Sequence, residues 1–254
     1  MNNFFDIKRF LHLIKRQFIL NNKSIYITLA SASAVMFVLF LLIAISSKDC
    51  MYVEQINLFY TIFYIGGYIL SSKIFNELSD YRTGYIYLTL PASNFEKLIS
   101  GWLFSSFVYS IIGLISVIII STLANALASL IMGFDFFAFN YEFKYLILAS
   151  GVYIVTQSVF ILGSASFKKH AFLKTLLSLF IIGMAISIIA GFLTWGIIGE
   201  FKIDHTSIET QNLPPGLSYF FEEQFPIIVK IVFWYLAAPF ILLISYFKLK
   251  ESEV

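Results

Sequence analysis

"LISGWLFSSFVYSIIGLISVIIISTLANALASLIMGF", residues 98–134, contains no Asp, Glu, Lys or Arg. As a single α-helix it would reach roughly 56 Å at about 1.5 Å per residue. A bilayer's hydrocarbon core is about 30 Å thick, and about 20 mainly apolar residues cross it. The run is therefore long for one upright span, yet short for a hairpin, which needs about 40 apolar residues plus a turn. Asn125 and the small residues around it read as the far end of one long, tilted helix.

The rest of the chain asks for the same solvent. Of its 254 residues, 59% are hydrophobic and 13% charged, and the mean hydropathy is +0.85. Soluble domains average roughly 45–50% apolar and about 25% charged. Six stretches approach span length with almost no formal charge: 25–47, 56–72, 99–124, 145–167, 175–198 and 227–247, the last with Lys230 near its start. The predicted fold is an all-α polytopic membrane protein forming one domain over residues 1–254.

The distribution of basic residues orients it. The first tail (Lys8, Arg9, Lys15, Arg16, Lys23), the loop after the second span (Lys73, Arg82, Lys97), the loop after the fourth (Lys168, Lys169, Lys174) and the last tail (Lys248, Lys250) hold thirteen of the seventeen Lys and Arg. Lys48, Lys144, Lys202 and Lys230 fall on the other side. Positively charged loops stay cytoplasmic, which predicts both termini inside an inner membrane. Splitting residues 98–134 into two spans would scramble this pattern, so one span is kept there. The basic residues serve topology in this reading and do not point to nucleic acid.

Residues 3–20 space Phe4, Ile7, Leu11, Ile14 and Phe18 at helical intervals, with Lys8, Arg9, His12, Lys15 and Arg16 on other faces. Residues 1–22 are thus expected to form an amphipathic helix in the headgroup layer, with Asn21-Asn22 turning the chain into the first span. Residues 199–225 form an acidic outer loop broken at Pro214-Pro215-Gly216. Its end, "LSYFFEEQF", is aromatic enough to dip back into the interface as a short helix. Tyr26, Tyr52, Trp102, Tyr145 and Trp195 fit interfacial belts. Gly66-Gly67, Gly151, Gly163, Gly183 and Gly191 suit close helix packing.

Some chemistry is missing from the spans. No ionisable residue occupies a span interior, which argues against an ion-coupled carrier. Asn57, Asn125 and Gln157 are expected to make packing hydrogen bonds. His12, His170 and His205 are scattered over separate segments, so no metal set can be assembled from them. Cys50 is the only cysteine and can form no internal disulfide. The phosphate-cradling pattern G-x-x-x-x-G-K-[ST] is absent, so the chain is predicted not to be an enzyme and to hold no cofactor of its own.

The most polar connector, residues 73–98, is what remains to be explained. Glu77, Asp80 and Arg82 mark where the second span emerges, Thr83-Gly84 permits a turn, and "YIYLTLP" allows a helix of one or two turns ending at Pro91. That helix is expected to expose Tyr85, Ile86, Tyr87, Leu88 and Leu90. Ser93-Asn94-Phe95-Glu96 has the spacing of a capping box, in which Ser93 and Glu96 satisfy free amides at the start of the third span. An apolar, aromatic knob rimmed by charge is suited to docking a partner.

The stretch "FNELSDYRTGYIYLTLPASNFEKLISGWL" resembles the connector of ATP-binding cassette (ABC) transporter permeases of the exporter-associated second class. The resemblance rests on Glu77, on Arg82 to Gly84, on the hydrophobic Tyr85 to Leu90, on Leu90-Pro91 and on Ser93 to Lys97. It implies a permease subunit that exports its substrate and pairs with a second permease and with cytosolic ATPase chains, on which ATP-Mg would be bound. Gly84, Tyr85, Ile86, Leu88, Leu90 and Pro91 would form the coupling helix against the ATPase. The apolar, aromatic spans favour an amphiphilic cargo. A non-transporting membrane scaffold or immunity-type protein acting through its loops is the competing reading.

Overall fold

The computed structural model describes residues 5–46, 51–79, 81–133, 142–198, 219 and 223–251. Among these, all regular structure is helical. Helix α1 runs from Ile7 to Ser46, 40 residues or roughly 60 Å. The turn expected at Asn21-Asn22 is not there: the helix passes through both asparagines, so the amphipathic segment and the first apolar segment form one rod. Asparagine costs a helix only about 0.7 kcal/mol or less relative to alanine, too little to break a helix continued on both sides.

Helix α2, Met51–Ser71, leads into a 3-10 turn, Asn76–Ser79, and the short α3, Tyr81–Leu88. Helix α4, Asn94–Leu103, continues through a π turn, Phe104–Val108, into α5, Tyr109–Met132. The uncharged run is thus one helical rod with no hairpin in it. Gly133 closes it in the left-handed region (φ 70°), its N–H donating to the Ser129 carbonyl at 2.9 Å. Helices α6, Phe143–Ser166, and α7, Ala171–Ile198, follow. A tight link joins these two, and in it His170 adopts φ 54°. The last rod comprises α8, Phe225–Ile231, a second π turn, Val232–Ala237, and α9, Ala238–Glu251.

Among the described residues, four helices are long and apolar enough to cross a membrane: Asn94–Met132, Phe143–Ser166, Ala171–Leu193 and Phe225–Glu251. The apolar part of α1, Ala30–Ser46, is shorter, and α2 carries Glu54, Gln55 and Asn57 in its first two turns. This is an integral membrane protein of helical class. Met1 to Phe4, Cys50, Asp80, Pro214-Pro215-Gly216 and most of the expected outer loop, including His205, lie outside the described residues, as do the side chains of Tyr26, Tyr52, Leu88 and Trp195.

One core cluster joins α1, α2, α5 and α6 through Phe40, Phe59, Phe63, Val117, Leu146 and Tyr153. A second lies at the connector end and joins Phe75, Tyr87, Leu98, Ile161 and Leu249. Glycines set the close approaches. A Cβ on Gly67 would collide with the Tyr153 ring, one on Gly163 with Thr175, and one on Gly113 would sit 2.6 Å from Phe63. Gly183 of α7 has nothing within 4 Å among the described residues, so the packing role expected of it is not used there.

Candidate functional site

The connector is a folded unit. Helix α3 doubles back on the 3-10 turn, and the Thr83 hydroxyl donates to the Glu77 carbonyl at 2.6 Å. Gly84 is buried there, its Cβ position 3.6 Å from the Glu77 carbonyl oxygen. Expected on the contact surface, Gly84 instead faces inward. Ser93 is the N-cap of α4: its hydroxyl accepts the Glu96 N–H at 3.2 Å, and the Glu96 carboxylate accepts the Ser93 N–H at 2.8 Å.

The Glu96 carboxylate has a second duty. Its side chain is fully buried, and Oε1 accepts the Asp6 N–H at 2.6 Å and Arg9 Nη2 at 3.1 Å. Asp6 immediately precedes α1, so one carboxylate serves the N-termini of two helices, where free amides and the helix dipole favour negative charge. One helical stretch further on, Arg16 grips Glu77 with both forks, at 3.2 and 2.8 Å. The connector is therefore pinned to α1 at Glu96 and again at Glu77. Bidentate, partly buried Arg–carboxylate pairs hold geometry that a single surface pair does not.

Tyr87 seals the joint. Only 4% exposed, its ring has the Arg16 guanidinium 5.9 Å and the Lys97 ammonium 5.4 Å from its centre, distances at which a cation is attracted to the ring face. Burial pushes its phenol well above the ordinary range, the Glu77 carboxylate adds to the rise, and Arg16 opposes it. The expectation that Tyr87 lies on the outer face is thus corrected. The packing of Phe75 and Leu98 draws it inward.

What remains outside includes a small apolar patch. Tyr85 is 67% and Ile86 59% exposed, and Pro91 is exposed beside them. Leu90 is half-buried against the second core cluster. Tyr85, Ile86 and Pro91 form the apolar part of the outward surface, with Arg82, Thr83 and Thr89 exposed around them, and the joint at Glu77 and Glu96 stands behind it. Such a surface can receive a partner and pass a displacement to α1 and α4. Among the described residues, no group of three His, Cys, Asp or Glu gathers to hold a metal.

Between the helices, polar side chains pair inside the bundle. Gln55 donates to Asn125 Oδ1 at 2.8 Å and accepts the Ser121 hydroxyl at 3.0 Å. Ser71 donates to Gln157 Oε1 at 2.9 Å, and the Tyr153 hydroxyl donates to the Ser105 carbonyl at 2.9 Å. That carbonyl lies within the π turn, whose widened ladder leaves backbone groups to be shared; Ser105 and Ser106 both donate to the Trp102 carbonyl. Asn125 and Gln157 are the packing amides expected; Asn57 is exposed. Gln55 was missed, since it sits just outside the apolar stretch that defined the second span. Arg9 and Arg16 were read as a headgroup face, yet Glu77 and Glu96 bracketing the connector were the signal for their partners.

No family model, no curated protein and no solved structure matches this chain.

Proposed function

We propose that the chain is the membrane-spanning permease subunit of an ATP-driven ABC transporter of the exporter-associated second class, moving an amphiphilic substrate outward. In this reading six spans cross the inner membrane with both termini cytoplasmic, α1 and α2 supplying the two beyond the four long apolar helices. The chain hydrolyses nothing itself. Two cytosolic ATPase chains, binding ATP-Mg, and a second permease, identical or related, complete the machine.

One observation carries the proposal: a short helix between two spans presents Tyr85 and Ile86 outward while its base is pinned to α1 by Arg9–Glu96 and Arg16–Glu77. A coupling helix needs a greasy contact surface on a mount that does not deform. Closure of the ATPases on ATP would push α3, and the pins would pass that push to α1 and α4 together. Beyond its first turns, which pack on α6 through Phe172 and Thr175, the apolar α7 is exposed among the described residues and supplies a surface for lipid or for the second permease.

The test is co-purification in mild detergent with a chain bearing a phosphate-binding loop. Tyr85→Asp and Ile86→Asp, which place a charge in the contact surface, are expected to lower recovery of that ATPase about tenfold or more, with membrane insertion intact. Undiminished recovery in both variants overturns the coupling assignment. Function that survives loss of the ATPase but fails on deletion of residues 204–216 would establish the scaffold reading instead.

A further inference from the structure

Beside the connector lies a groove of about 350 Å³ between α1, α2 and the α4–α5 rod, a volume within the range of small-molecule sites. It runs along α2 from Phe59 to Lys73 and along the rod from Ile120 to Phe104, roughly 20 Å at 1.5 Å per residue. One leaflet's hydrocarbon is about 15 Å deep, so the groove is long enough for a lipid-length alkyl chain. Phe59, Phe63 and Ile120 are buried and form its floor, while Ile112 and the mouth are exposed. The groove is therefore open on one side, as a site loaded laterally from a leaflet must be.

Its two ends differ in chemistry. In the apolar part, two polar groups are turned back on the backbone, the Tyr109 hydroxyl donating to the Phe63 carbonyl at 2.8 Å and Ser116 to the Gly113 carbonyl at 2.8 Å, and Ser33 is a further hydroxyl along the lining. The charged groups lining the groove, Arg16, Lys73 and Glu77, sit together at the connector end. Arg16 and Glu77 neutralise each other. Lys73 is exposed and makes no ion pair among the described residues, which leaves the mouth with one net positive charge. Arg16 has five N–H donors, of which the Glu77 bond pair uses two.

We infer that this groove binds a single-chain anionic amphiphile, its alkyl chain along α2 and its acidic head on Lys73 with a share of the Arg16 guanidinium. As the transported cargo, this amphiphile rests on the permease reading; as a bound ligand it does not. An acid at the mouth competes with Glu77 for Arg16, so occupancy is felt directly at one of the two pins of the connector.

The probe is hexadecanoic acid carrying a diazirine at the chain end, added to the full chain in phosphatidylcholine nanodiscs and mapped after irradiation. Label is expected on residues 59–66 and 109–120. Hexadecanoate and hexadecyl phosphate should displace it at concentrations about tenfold below those needed for hexadecyltrimethylammonium, and Lys73→Glu should abolish that preference. Label spread over α7, equal displacement by the cation, or an unchanged preference in Lys73→Glu each overturns the site. Because no ATPase is present, failure here leaves the permease reading standing, and failed ATPase co-purification leaves the groove standing.

Discussion

Helices α6 and α7 are consecutive, similar in length and both apolar enough to cross a membrane, yet they are used in opposite ways. Half of the most apolar stretch of α6 is buried, and none of that of α7. The first is embedded in aromatic contacts: Tyr153 lies 5.0 Å from Phe63, and Phe160 stacks on Tyr68 at 4.4 Å. Leu177, Phe180, Ile186 and Phe192 of the second are exposed. Hydropathy thus identifies the solvent of a segment but not its neighbours. In lipid, where burying a leucine against another leucine gains little, close fit and hydrogen bonds decide which helices assemble. α6 has Gly151, Tyr153, Gln157 and Gly163 for that purpose; α7 has a uniform surface.

The contrast can be broken most severely at Gly67. Valine there must displace the buried Tyr153 ring, and a loss of about 3 kcal/mol is expected, read as a fall in the thermal midpoint of the chain in detergent. Gly183→Val on α7, which meets nothing, serves as the opposing case and should shift stability by less than about 0.5 kcal/mol. Glu96→Ala removes the carboxylate that α1 and α4 share. A cost of about 1–3 kcal/mol is expected, with faster amide exchange confined to residues 6–16 and 93–97. Gln55→Leu severs the amide pair with Asn125 and the bond from Ser121. At about 0.6 kcal/mol per intramembrane hydrogen bond, the loss should be about 1–2 kcal/mol. Leu177→Ala, on the bare helix, should be the smallest of all, within about 0.5 kcal/mol, and a large loss there would show that α7 packs on more than lipid in the state measured.

The parts of the fold legible in the sequence are those fixed locally. The absence of charge from residues 98–134 announces a long apolar rod, and the three-residue spacing of Ser93 and Glu96 announces a cap, because both effects act within a turn or two. Gly66, Gly67 and Gly163 were legible as packing residues, though their partners were not. The second duty of Glu96 was hidden, since Asp6 and Arg9 lie about ninety positions away. Tyr87 could not be told from Tyr85 or Ile86 within "YIYL", where every residue is apolar or aromatic; Arg82, one turn before Tyr85 and Ile86 on the eight-residue helix and exposed with them, was the signal for the outward face. Asn21-Asn22 misled for the opposite reason: two residues common in turns lay inside a helix whose flanking sequence outweighed them.

Arg9 and Arg16, the two basic residues that hold the connector, are seven positions apart on the same helix, or roughly 10 Å. A plate fastened by one screw can swivel about it, whereas a plate fastened by two can only travel with the beam. Any load applied at the tip of α3 is therefore delivered as a shift or tilt of the whole of α1; substituting Arg16 would release the Glu77 fastening and turn the mount into a hinge, whereas substituting Arg9 leaves the Asp6 N–H on Glu96.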